Sequence, residues 1–120
     1  MVDVLGTEDF EACFMDLDPK DAEAIDLVVG LLEQKGVTLG YPYSSAIMGS
    51  KYGVRELRAR SGRKHLRVFY AFDPCRQAVL LIGGDKTGDD RFYETYVPRA
   101  ERIWSDYLSD LRKDDNREKR

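Results

Sequence analysis

The stretch that decides the fold is VRELRARSGRKHLRVFYAFDPCRQAVLLIGGD, residues 54–85. It contains three short runs that are rich in apolar and aromatic residues, and each run is followed by a pair of turn-forming residues. The runs are Val54–Arg60, Lys64–Phe72 and Gln77–Ile82, and the pairs are Ser61-Gly62, Asp73-Pro74 and Gly83-Gly84. Because connections this short join antiparallel strands, the sequence predicts a three-stranded antiparallel meander.

Two amphipathic helices are predicted before the meander. Thr7 is the expected N-cap of the first helix. Asp18, followed by Pro19, begins the second helix, which ends at Gly36. The residues before these helices, Met1–Leu5, are predicted to form a short first strand.

A last helix is predicted to begin at Val97-Pro98, and residues 36–53 are predicted to form an ordered loop. The predicted fold class is α+β, with two N-terminal helices and one C-terminal helix covering one face of a small, mainly antiparallel curved sheet. Residues 1–111 are expected to form a single domain, and residues 112–120 a charged, frayed tail.

The charge is divided unevenly along the 120 residues. The net charge is −3, but residues 1–50 carry a net −8 and residues 51–120 a net +5. Eight basic residues fall within residues 51–76, against two acidic ones. This pattern favours a polyanion-binding face on an acidic body. Two alternatives stay open: chance clustering on a solvated sheet, and pairing of these arginines with the acidic helices.

No apolar run is long enough to cross a membrane, and the N-terminus lacks the pattern of a signal peptide. Cys13 and Cys75 do not form a Cys-x-x-Cys pair and are expected to be reduced thiols. The sequence therefore predicts a cytoplasmic protein that makes no membrane contact.

Strand parity predicts which basic residues meet. Side chains alternate between the two faces of a sheet, so folding at Ser61-Gly62 places Arg58 near Arg67 and Arg60 near His65. Glu56 shares this face but offsets only part of the repulsion between the arginines. A phosphate backbone would supply the missing anions.

His65 is the only histidine of the chain, and histidine is the side chain best suited to proton transfer near neutral pH. A structural role for this histidine is the alternative. One histidine and two unclustered cysteines do not make a usual zinc set, so neither a metal nor a cofactor is predicted.

The segments GVRELR (53–58), LRVFYAF (66–72) and VLLIGGDK (79–86) together resemble the HigB branch of the RelE/ParE toxins. Tyr93 and Ala100 also fall where that family has an aromatic residue and a small helix residue. The resemblance covers about residues 43–108. It implies the RelE/ParE-like fold, which agrees with the α+β architecture predicted above.

The resemblance implies the toxin of a type II toxin–antitoxin system, a ribosome-dependent endoribonuclease that cleaves mRNA in the ribosomal A site. Its expected partner is a HigA-like antitoxin with a helix-turn-helix. Arg67 matches the family arginine that stabilises the phosphate, Lys86 matches a basic residue that acts as acid or clamp, and Tyr93 matches a tyrosine that stacks on a base or exchanges a proton. The residues expected to bind the RNA backbone are Arg55, Arg58, Arg60 and Lys64.

Glu56 stands where some ribonuclease members have a lysine. Its carboxylate would either act as the general base or orient an arginine, and His65 is the other candidate base. Two other functions stay open on the same fold: a ParE-type toxin that inhibits DNA gyrase without catalysis, and a decayed toxin that acts only as an interaction protein.

Overall fold

The computed structural model describes the backbone of residues 1–118 and the side chains of residues 1–113. The elements in chain order are β1 (Val4–Gly6), α1 (Glu8–Met15), α2 (Pro19–Lys35), β2 (Ser44–Ala46), β3 (Arg55–Ser61), β4 (Lys64–Phe72), β5 (Ala78–Asp85) and α3 (Phe92–Glu118). A short 3-10 turn at Gly36–Thr38 follows α2. The predicted α+β class is confirmed.

The strands form one sheet in the order β1-β5-β4-β3-β2. Strands β2 to β5 pair in antiparallel fashion, which confirms the predicted meander, and β1 runs parallel to β5. The edge strand β2 lies in the segment predicted as loop. It is three residues long and rich in serine, so it carries no alternating pattern from which a strand could be predicted.

Helices cover both faces of the sheet, so the prediction that they cover one face is wrong. Leu66, Val68 and Tyr70 of β4 pack with α1 and α2. The alternate residues Phe69 and Ala71 pack with α3. The run from Leu66 to Phe72 is apolar at both parities, which is typical of a strand that is buried on two sides.

The two N-terminal helices begin where their capping residues predict. The Oγ1 atom of Thr7 accepts a hydrogen bond of 3.1 Å from the Phe10 backbone N–H, and Oδ1 of Asp18 accepts one of 2.9 Å from Asp21. Gly36 ends α2 with a φ of 56°, a conformation that favours glycine.

Helix α3 begins at Phe92, five residues before the predicted start. Just before the helix, Oδ1 of Asp89 accepts a hydrogen bond of 3.0 Å from the Arg91 N–H and turns the chain into it. Pro98 lies inside the helix rather than at its first position. The helix extends to Glu118, so the predicted boundary at residue 111 falls within it, and residues 119–120 of the predicted tail lie outside the described residues.

Strand β5 continues through the glycine pair that was predicted to end it. A Cβ atom on Gly84 would lie 2.7 Å from Cζ of Tyr96, so only glycine lets α3 approach the strand this closely. The close approach brings the first turns of α3, including Tyr93, to the basic end of the hairpin. In the part of the chain described, no helix has the length and apolar character needed to cross a membrane.

Candidate active site

The β3–β4 hairpin brings together the residues that strand parity predicts. Arg58 pairs with Arg67, and Arg60 pairs with His65. This register confirms the prediction made from the turn at Ser61-Gly62. Arg58 and Arg67 therefore point to the same face as α3, beyond the region that this helix covers.

Glu56 lies at the centre of this group. Its Oε1 atom accepts a hydrogen bond of 2.9 Å from the Tyr93 hydroxyl and one of 3.4 Å from Nη1 of Arg58. Nε of Arg67 lies 3.3 Å from the same oxygen. Glu56 and Arg67 are each only 3% exposed, so the carboxylate and guanidinium neutralise each other inside the protein.

Arg67 is held by the backbone and retains a free donor. Its Nη1 donates a hydrogen bond of 3.0 Å to the carbonyl oxygen of Leu66. Its Nε, although close to Glu56, has no correctly oriented hydrogen-bond partner among the described residues. This Nε is buried beside the Glu56 carboxylate, so its charge is compensated by the ion pair at 3.3 Å.

Tyr93 connects the first turn of α3 to the hairpin. Its ring packs edge to face against Phe69, with 6.3 Å between the ring centroids. Burial raises the pKa of the Tyr93 phenol, and the hydrogen bond to Glu56 acts in the same direction. The phenol therefore stays protonated at neutral pH and donates its hydrogen bond to Glu56.

Lys86 lies on the outer side of Tyr93, with its Nζ 5.4 Å from the centroid of the ring. Two contacts fix this segment against β4: the Lys86 backbone N–H donates a bond of 2.8 Å to the His65 carbonyl oxygen, and the His65 N–H donates one of 2.7 Å to Oγ1 of Thr87. The cation is thus placed beside the cluster of Glu56 and Tyr93 by backbone pairing.

Two open grooves meet at Arg58. The first, here called the hairpin groove, has a volume of about 440 Å³ and is lined by Pro42, Tyr43, Arg58, Arg60, His65 and Arg67, with α2 on its other side. The second, here called the α3 groove, has a volume of about 580 Å³, and its lining includes Glu56, Arg58, Tyr93 and Met48. Arg58 lines both grooves, so a ligand in either groove would lie beside it.

The remaining predicted site residues lie apart from the cluster. Nζ of Lys64 is 2.7 Å from Oδ2 of Asp21 in α2, and this ion pair raises the pKa of the lysine. Arg55 shares the face of Leu57, and its Nε donates a bond of 3.2 Å to Oγ of Ser44. Lys64 is thus paired with the acidic helix α2, as expected if the basic residues of the hairpin pair with the N-terminal helices. Arg58 and Arg67 instead pair with Glu56 of β3.

Arg60 and His65 are exposed at the outer end of the same hairpin face. His65 precedes Arg67 by two residues on one strand, a separation of about 7 Å along the strand. It belongs to the rim of the hairpin groove rather than to the cluster around Glu56. Within the described residues, no group of His, Cys, Asp or Glu has the arrangement needed to hold a metal ion.

Comparison with known proteins places this fold and site in a family. The model of the family described as "Phage derived protein Gp49-like (DUF891)" matches residues 12–105. Two proteins of Mycobacterium tuberculosis (strain ATCC 25618 / H37Rv) are similar to the chain: "Putative toxin HigB2", 34% identical over 86% of this chain, and "Putative toxin HigB3", 35% identical over 82%. This chain belongs to the Gp49-like, HigB-type toxin family. It spans 54% of the length of the first relative and 87% of the second.

The match to the HigB-type family includes every member of the cluster, since Glu56, Arg58, Arg67, Lys86 and Tyr93 all lie within residues 12–105. The family match therefore spans the chain from the hairpin to the first turns of α3. It also contains the acidic helix α2, which forms the opposite wall of the hairpin groove.

One contact of this HigB-type site was not predicted from the sequence. The guanidinium carbon of Arg58 lies 5.3 Å from the ring centroid of Tyr41, in the loop before β2. Tyr41 has no periodic pattern around it, so its approach to Arg58 depends on the loop conformation. The signals in the sequence were only the aromatic residues and the turn-forming Pro42 within a Gly- and Ser-rich segment.

Proposed function

We propose that this protein is the toxin of a type II toxin–antitoxin system and that it cleaves mRNA in the ribosomal A site as an endoribonuclease. One observation carries the proposal: Arg58, Arg67 and Tyr93 converge on a single oxygen of Glu56 where the two grooves meet. Membership of the HigB-type family supports it. The site combines two cations, a protonated phenol and a carboxylate, which are the groups that phosphodiester cleavage needs.

The two arginines are the proposed phosphate site. Arg58 lines both grooves and Arg67 lines the hairpin groove. As the 2′-oxygen attacks, negative charge builds up on the oxygens of the pentacoordinate phosphorus. Guanidinium groups that are already fixed in place stabilise this charge without reorganisation during the step.

Glu56, Tyr93 and Lys86 are the proposed proton-transfer groups. The 2′-oxygen forms a bond to phosphorus while its proton passes to Glu56, either directly or through the Tyr93 hydroxyl. The bond from phosphorus to the 5′-oxygen breaks, and Lys86 donates a proton to that oxygen. The products are an RNA that ends in a 2′,3′-cyclic phosphate and one that begins with a 5′-hydroxyl.

The proposed partners follow from the same function. The substrate is mRNA in the A site of the ribosome, which places the protein in the cytoplasm. A HigA-like antitoxin with a helix-turn-helix is the proposed inhibitor. The net charge of −8 on residues 1–50 separates the acidic helices from the basic hairpin, so antitoxin and RNA need not compete for one surface.

The test is a map of mRNA 5′ ends after induction of the protein in growing cells. New ends within translated frames are expected, and they should be absent with Arg67→Ala and Lys86→Ala. Arg102→Ala, on the exposed side of α3, is the charge-matched control and should cleave like the unsubstituted protein. Because Arg67 is buried, the thermal unfolding of its variant is measured beside the cleavage.

Two other outcomes would contradict the proposal. Growth arrest with intact messages and relaxed DNA would indicate a gyrase inhibitor of the ParE type. Normal growth with intact messages would indicate an interaction protein whose arginines are neutralised by Glu56.

The unfolding temperature of Lys86→Ala separates a chemical defect from a folding defect. Loss of cleavage with an unchanged unfolding temperature indicates a chemical defect.

A further inference from the structure

Tyr41 is an aromatic residue whose position the core does not explain. Its side chain is 77% exposed, and it lies in the loop that precedes β2. Its ring stacks over the guanidinium of Arg58 at 5.3 Å, whereas the opposite face of the ring is open to solvent. An exposed aromatic ring beside a basic groove offers a stacking surface to a single-stranded nucleic acid.

Hydrogen bonds fix the backbone of the turn that carries Tyr41. The carbonyl oxygen of Gly40 accepts hydrogen bonds of 3.1 Å from both the Tyr43 and the Ser44 N–H groups. The Arg58 N–H donates a bond of 2.8 Å to the Tyr43 carbonyl oxygen, which ties this turn to β3. A turn whose backbone is already fixed loses less conformational entropy when it binds a ligand.

We propose that Tyr41 and Arg58 form a stacking subsite for one nucleobase of the RNA, beside the phosphate that Arg58 and Arg67 hold. The inference rests on the proposed ribonuclease function and names the contact that positions the substrate. Aromatic rings and guanidinium planes are the protein groups on which unpaired bases stack. The guanidinium carbon of Arg58 lies 5.3 Å from the Tyr41 ring centroid, so a base stacked on the ring would lie beside a cation that can hold its phosphate.

The chemistry of the subsite restricts its ligand. Every base has a π-face, so stacking on Tyr41 tolerates any base but requires that the base be unstacked from its neighbours. The subsite therefore selects for single-stranded RNA rather than for one sequence. It also adds an attraction that is independent of the phosphate charge, and so persists at salt concentrations that screen the arginines.

The experiment compares variants on ribosome-bound mRNA substrates in which each nucleotide around the cleavage site is replaced, one at a time, by an abasic nucleotide. Tyr41→Leu is expected to lower kcat/KM on the intact mRNA by about 5- to 150-fold, the range that corresponds to one base stack. Tyr41→Phe should retain the rate of the unsubstituted protein. Tyr52→Leu, which removes another exposed tyrosine from the same loop region, is the matched control.

The abasic substrates distinguish stacking from a mere effect on Arg58. At one position, removing the base should cost the unsubstituted protein as much as Tyr41→Leu does, and the two losses should not add. Additive losses at every position would overturn the subsite, as would equal rates for Tyr41→Leu and Tyr52→Leu. An unsubstituted protein that fails to cleave the intact mRNA would instead overturn the proposed function.

Discussion

At the scale of single residues, Glu56 and His65 are the two candidates for the general base of the proposed cleavage. Glu56 is buried and lines the α3 groove beside Arg58. Its Oε1 accepts a hydrogen bond of 2.9 Å from the Tyr93 hydroxyl. His65 is exposed, and the contacts described for it involve its backbone. The geometry therefore favours Glu56 as the base, with His65 contributing to RNA binding at the rim.

The first prediction compares Glu56→Gln with His65→Ala. Glutamine can still accept the hydrogen bond from Tyr93 but cannot take up a proton, so the single-turnover cleavage rate should fall by about 100-fold or more. His65→Ala should leave that rate close to the unsubstituted value. The opposite ranking of the two variants, with both folded by thermal unfolding, would transfer the role of base to His65.

Most of the residue-level site could be predicted from the sequence because alternation on a strand is regular. Parity alone placed Arg58 opposite Arg67, whereas the ion pair between Lys64 and Asp21 depends on where α2 crosses the sheet. The stack of Tyr41 on Arg58 depends on a turn whose backbone no periodic pattern describes. Contacts within one hairpin are thus predictable from spacing, and contacts between distant elements are not.

At the scale of elements, the ends of α3 and β5 show how tertiary packing overrides local signals. Pro98 was taken as a first helical residue, but the turn at Asp89 leads the chain into the helix before the proline, and the helix lacks one hydrogen bond at Pro98. Gly83 and Gly84 were taken as a turn, but a glycine is required at 84 because Tyr96 lies against it. Both errors have one cause, the close contact of α3 with β5.

Tyr107 anchors α3 to the turn between β4 and β5. Its hydroxyl donates a bond of 2.8 Å to Oδ2 of Asp73, and its ring stacks on Trp104 with 5.6 Å between the centroids. Burial, followed by the contact with Asp73, raises the pKa of Tyr107 from 10.0 to about 12. The folded state therefore favours the protonated phenol more strongly than the unfolded state does.

The second prediction is a loss of stability at high pH that depends on Tyr107. A raised pKa stabilises the fold fully below pH 10, and this contribution is lost as the pH rises from about 10 to about 12. Tyr107→Phe should be less stable than the unsubstituted protein at pH 8, by about 1 kcal/mol for the lost hydrogen bond. The difference should shrink between pH 10 and 12 in urea titrations; a constant difference would show that Tyr107 does not carry the effect.

At the scale of the whole molecule, one sheet serves two cores. Val68 and Tyr70 point to α1 and α2, and the intervening Phe69 points to α3. Because consecutive residues of β4 belong to different cores, neither helical layer can separate without exposing the strand that the other layer needs. The candidate site includes Arg67 of this shared strand, so its geometry depends on both layers.

The third prediction is that both cores unfold in a single transition. Val68→Ala removes a side chain that is 1% exposed on the α1–α2 face and should lower the free energy of unfolding by about 1–3 kcal/mol. Trp104, the only tryptophan, lies in the other core and reports its unfolding by fluorescence. If the cores are coupled, Val68→Ala lowers the urea midpoint seen by Trp104 fluorescence as much as the midpoint seen by far-UV circular dichroism.

Met15→Ala, at a side chain that is 82% exposed, is the control and should move neither midpoint appreciably. The prediction is wrong if the fluorescence midpoint stays in place while the dichroism midpoint falls. In that case α3 and its core form a separate cooperative unit, and the candidate site contains residues from two such units.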